Sequence, residues 1–117
     1  MNLTIIAIDK MKSTAPERTI IDTYIRQCGW KISIIELQAD KGLNGNVRQE
    51  AESELLLKHI PSGAKIVVLD EHGQNLSSRQ FASQLIEWRD RGTKDIVFLI
   101  GGADGHTDKV RQKADLI

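Results

Sequence analysis

Two continuous apolar runs, Ile66-Val67-Val68-Leu69 and Ile96-Val97-Phe98-Leu99-Ile100, constrain this chain more than any other feature. A strand that is apolar on both alternating sets of side chains has to be covered on both faces, the condition of a central parallel strand. Parallel neighbours need long crossovers, usually helical, and the rest of the sequence supplies them. Leu3 to Ile8 is a short β-branched run that stops at Asp9, a first strand. Thr14 and Glu17 have capping-box spacing with Pro16 in the first turn, so a helix is expected from there. Its apolar face would carry Ile20, Ile21, Tyr24, Ile25 and Cys28, and Gly29 would close it as a left-handed cap. Ile32, Ile34, Ile35 and Leu37 make a second strand. A loop from Ala39 to Asn46 leads to a helix with Val47, Ala51, Leu55 and Leu56, and Pro61-Ser62-Gly63 turns out of it.

After the run that ends at Asp70, Ser77 and Gln80 again have capping-box spacing, and Phe81, Leu85 and Trp88 share one helical face that Gly92 terminates. The second run enters Gly101-Gly102-Ala103-Asp104-Gly105. Thr107 then caps a helix to about Ala114, and Leu116 with Ile117 opens a fifth strand. Strands and helices alternate throughout, so the fold class is α/β, a mainly parallel sheet with helices on both faces and right-handed crossovers.

Composition narrows the function classes. Sixteen basic residues balance 16 acidic ones in 117, which removes the electrostatic footprint of a chain that coats nucleic acid unaided and argues against DNA as a partner. An RNA-bearing partner recognised by shape stays open. The lone Cys28 has no partner for a disulfide, and no run is long enough to span a bilayer, so a cytoplasmic protein without membrane attachment is expected.

Ligands of open α/β sheets sit outside the carboxyl ends of the strands, which singles out the loops Asp70 to Gly73 and Gly101 to Gly105. Bare glycines at 101, 102 and 105 suit either a nucleoside held close to backbone or simply a tight strand-to-helix turn. No lysine follows to make a phosphate loop. Asp70 can bond a ribose, act as a base, or merely cap the next turn. His72 and His106, with Asp70 and Asp104, lack the spacing of a metal site, and solvated loop histidines are the expectation, with no metal. Cys28 reads as a buried inert thiol, Trp88 as core or interface, and Lys109, Arg111 and Lys113 as an ordinary solvated helix.

In combination, Ile66-Val67-Val68-Leu69-Asp70-Glu71-His72-Gly73, the helix with Glu87-Trp88, and Phe98-Leu99-Ile100-Gly101-Gly102-Ala103-Asp104-Gly105 resemble the pseudouridine N3-methyltransferases of large-subunit (23S) ribosomal RNA. These belong to the SPOUT class, whose α/β domain ends in a trefoil knot. The likeness runs from Leu3 to the end of the chain, as one SPOUT-like domain over residues 1–117, and includes Lys10-Met11-Lys12 and the turn Ala39-Asp40-Lys41-Gly42. It implies S-adenosylmethionine bent into a pocket of three loops, with Leu69 and Asp70 in the first and Gly101, Gly102 and Gly105 in the second. It implies attack by a deprotonated pseudouridine N3 on the cofactor methyl, a reaction of positioning that leaves the catalytic residue unassigned. It further implies the ribosome as partner and a homodimer. Family members continue past the position of Ile117 through the third loop, the knot-threading helix and a tail near the substrate. A chain without them is expected to lack the completed knot, to self-associate abnormally and to methylate poorly. The contrasting expectation is a small non-catalytic α/β assembly module with no nucleoside pocket; a metal- or flavin-using enzyme has little beyond His72 behind it.

Overall fold

The computed structural model describes residues 1–117, in which four strands and four helices alternate. They are β1 (Asn2–Ile8), α1 (Pro16–Gln27), β2 (Lys31–Leu37), α2 (Gly45–Lys58), β3 (Lys65–Leu69), α3 (Ser78–Asp90), β4 (Asp95–Ile100) and α4 (Asp108–Lys113). The sheet order is β2-β1-β4-β3 and every pairing is parallel, so all four strands end along the same rim.

Register decides which side chains meet. Ile5 pairs with Phe98 and Phe98 with Val67, which places Leu3, Ile32, Ile96, Phe98 and Val67 on one face, packed with Leu85, Trp88 and Phe81 of α3. The other face carries Ile6, Ile8, Val97, Leu99 and Val68 against Leu56 of α2 and Val110 of α4. Both apolar runs are therefore covered on two sides. Segment 114–117 lies along the outer edge of β3, where Val68 N–H donates to Leu116 and Leu116 N–H to Ile66, so the expected fifth strand is present as a single bridge between Val67 and Leu116.

Three local expectations are corrected. Thr14 does not cap α1: the N-cap is Ala15 without a side-chain bond, because Pro16 already fixes the first turn. Gly29 is not left-handed; the helix ends in an extended Cys28 whose N–H reaches Tyr24 and Ile25. The five-residue apolar face of α1 splits, since the helix buries no residue fully: Ile21, Ile25 and Cys28 are half-covered, while Ile20 and Tyr24 stand 57% and 68% exposed. By contrast Ser77 and Gln80 form both bonds of the capping box on α3, and Thr107 caps α4.

Candidate functional site

At the rim, the carboxyl ends of β3 and β4 open into a cavity of about 320 Å³ walled by Leu69, Asp70, Gly101, Gly102, Gly105, His106 and Arg111, among others. All five residues singled out as cofactor-binding thus meet at one cavity. Leu69 and Ile100 are register partners and stand 49% and 39% exposed, although strand-end residues of this type are ordinarily covered. They form an apolar lip beside the glycine loop.

The three glycines are required by the protein itself. A Cβ on Gly101 would come within 3.2 Å of Gly105 backbone and of the His106 ring. One on Gly102 would lie 2.7 Å from a carboxylate oxygen of Glu52. Gly105 has φ +76°, a conformation that side chains with a Cβ rarely adopt. The loop therefore runs against its own supports, presenting backbone and no side chain at these positions.

The Asp70 side chain is 4% exposed and fully engaged. One oxygen accepts from His72 N–H at 2.9 Å and the other from Arg111 Nε at 3.0 Å. The His72 amide and then the Arg111 guanidinium hold its carboxyl below the usual aspartate value, against the opposing effect of burial. Of the roles open to it from sequence, turn-capping is what the carboxylate performs here, and what it offers a ligand is backbone. Arg111 consequently is not part of a solvated basic face: it crosses from α4 to the strand end and also bonds Asp108. Lys109 pairs with Glu54 on α2.

His106 is 2% exposed, which corrects the expectation of a solvated loop histidine; His72 is exposed as expected. Its Nε2 lies 3.1 Å from the Leu69 carbonyl. A carbonyl only accepts, so the proton is on Nε2, and Nδ1 is buried with no partner. Burial pushes the imidazole below its ordinary value and keeps it neutral. Cys28 is half-covered rather than buried. No group of three His, Cys, Asp or Glu side chains converges as a metal site would require.

Two further residues escaped the sequence reading. Glu52 is 2% exposed on α2, with Arg48 Nε at 3.2 Å on one oxygen and nothing on the other. Arg48 also approaches Asp9 at the end of β1, at 3.8 Å. Their i,i+4 spacing was the available signal, but it is also the signature of a surface pair.

A nucleoside-bearing cofactor suits this construction. Bare backbone lies next to an apolar lip, and buried polar groups are aimed at strand ends.

The whole chain has counterparts among known proteins. Residues 1–117 match the family described as Predicted SPOUT methyltransferase. The relatives named Ribosomal RNA large subunit methyltransferase H are 44% identical in Paramagnetospirillum magneticum and 40% in Rhodospirillum centenum, each over 100% of this chain and 76% of the relative. The namesake from Hyphomonas neptunium is 42% identical over 97% of this chain and 75% of its own length.

Proposed function

We propose that this chain, which belongs to the SPOUT methyltransferase family, supplies cofactor-binding loops for the transfer of a methyl group from S-adenosylmethionine to N3 of a pseudouridine in 23S ribosomal RNA. The observation that carries the cofactor half is the cavity between Leu69-Asp70 and Gly101 to Gly105, with its exposed lip of Leu69 and Ile100. The RNA half rests on the relatives' names and on the family resemblance of the motifs. When bound, S-adenosylmethionine supplies an electrophilic methyl on sulfur and leaves as S-adenosylhomocysteine.

The residues on hand bind and orient. Leu69 and Ile100 offer apolar surface to adenine, the backbone of Gly101 and Gly102 offers amides and close approach while Gly105 N–H donates to Gly102 and closes the turn, and Asp70 and His106 lock both loops from beneath. Neither Asp70 nor His106 is placed as a nucleophile, in keeping with a direct transfer from sulfur to nitrogen. The same reading makes the cytoplasmic ribosome the partner and a homodimer the assembled form. No helix is long and apolar enough to cross a membrane.

Calorimetric titration of the protein with S-adenosylmethionine and S-adenosylhomocysteine tests the cofactor half. Saturable binding is expected, lost in Gly101→Val and weakened in Ile100→Asp, with circular dichroism and thermal melts verifying that each variant is folded. No binding to the folded protein would overturn the proposal in favour of a non-catalytic module.

A further inference from the structure

The loop that follows β4 is held from behind by one face of α2. Gln49, Glu52 and Ser53 stand at i, i+3 and i+4 and so share that face. Glu52 backs Gly102 and Ser53 accepts from Thr107. Between them, Gln49 Nε2 donates to two backbone carbonyls, that of Asp104 at 3.0 Å and that of His106 at 3.1 Å. We propose that Gln49 is a positioning residue of the cofactor cavity, holding the glycine loop in its receiving shape before the ligand arrives, an inference that rests on the methyltransferase reading above.

Three observations carry it. The two carbonyls lie on either side of Gly105 in the chain, whose φ is +76°, so the bonds fix the peptide groups around the left-handed residue of the loop. They also anchor the backbone of His106, the residue whose ring reaches the Leu69 carbonyl. Secondly, glycine has more backbone freedom to lose than any other residue, and this loop holds three. Its internal tie is the bond from Gly105 N–H to Gly102, at 3.0 Å. A loop ordered in advance spares the ligand the cost of ordering it. Thirdly, Gln49 lines neither the cofactor cavity nor a second one of about 270 Å³ at the carboxyl ends of β1 and β2, which Arg48 and Glu52 line. Any effect it has on the ligand therefore passes through the loop.

The chemistry is that of a donor. One amide nitrogen carries two hydrogens and serves both carbonyls, which a carboxylate of the same length cannot do because it only accepts. An ammonium group, with three hydrogens, can.

The test compares the wild type with Gln49→Ala, Gln49→Lys and Gln49→Glu at neutral pH, reading S-adenosylhomocysteine association and dissociation rates by surface plasmon resonance. Gln49 is half-buried, and thermal melts verify that each variant is folded. Gln49→Ala should bind about tenfold more weakly, the loss of two neutral hydrogen bonds that served to populate the receiving shape. The loss should lie in the association rate, with dissociation unchanged, because fewer molecules hold the competent loop at any moment. Gln49→Lys should return to within about threefold of the wild type, and Gln49→Glu should be at least as weak as Gln49→Ala. Wild-type affinity in Gln49→Ala, a loss confined to the dissociation rate, or Gln49→Lys as weak as Gln49→Glu would overturn the proposal. If the wild type itself fails to bind S-adenosylhomocysteine, the preceding reading falls, and amide hydrogen exchange on the free protein decides this one. The Gly105 amide should then exchange about tenfold faster in Gln49→Ala while amides of α3 keep their rates, and equal rates at Gly105 would overturn it.

Discussion

His106 Nε2 donates to the carbonyl of Leu69 across 3.1 Å, tying the loop that follows β4 to the end of β3. One buried ring therefore sets the spacing of the two loops that wall the first cavity, with its edge against Gly101.

Stability should consequently fall on mild acidification. The folded-state value of His106 lies below its unfolded value of about 6.5, so between the two the unfolded chain binds the extra proton. The histidine's contribution is complete above about pH 6.5 and is lost as pH falls through the folded value. Asp70 and Arg111 face the ring and act on its charge in opposite senses. Denaturant melts of wild type and His106→Gln between pH 7.5 and about 5 check this: the wild type should lose stability across the window, and the variant should lose less. Parallel slopes would show that another group is responsible.

Gly102→Ala should destabilise the protein by about 1–3 kcal/mol, the usual cost of forcing atoms into packed space. The added methyl meets both carboxylate oxygens of Glu52, at 2.7 and 2.8 Å, and Glu52 is held by Arg48. In Glu52→Ala the same substitution should cost clearly less, so a double-mutant cycle by chemical denaturation reads the contact directly.

The sheet was legible because strand identity is carried by continuous β-branched runs, and Leu3 to Ile8 and Ile96 to Ile100 need no long-range information to be recognised. The capping box on α3 was legible for the same reason: both bonds lie within four residues. What stayed hidden depends on tertiary placement. On α2 the apolar set Val47, Ala51, Leu55 and Leu56 suggested the inward face, yet Val47 is 63% exposed while Glu52 and Ser53 are buried. That stripe turns inward because Ser53 accepts from Thr107 and Glu52 backs Gly102, partners some fifty residues away in sequence. His106 and Arg111 were misplaced likewise, since their partners Leu69 and Asp70 belong to a strand end that only the parallel order brings beside them.

Ser77→Ala removes the side-chain half of a complete capping box and should cost about 1 kcal/mol. Ser77 lines neither cavity, so thermal denaturation should report the loss while cofactor affinity is unchanged. A drop in affinity alongside stability would indicate that the start of α3 communicates with the strand-end loops.

Arg111→Met should expose what the Asp70 pair contributes. The guanidinium is 31% exposed and the carboxylate 4%, so removing the cation strands a charge that keeps only the His72 amide, at a cost of about 1–3 kcal/mol at neutral pH. The sign with pH is fixed by the depressed aspartate: its contribution is present above the unfolded value of about 3.9 and is lost as pH falls through the lower folded value. Without Arg111 the folded value rises toward the unfolded one, so the variant has less to lose on acidification. The stability gap between wild type and Arg111→Met, measured by urea unfolding, should therefore be wide at pH 7 and narrow below about pH 4. A gap independent of pH would mean that Arg111 stabilises the loops by packing its alkyl chain and not through its charge on Asp70.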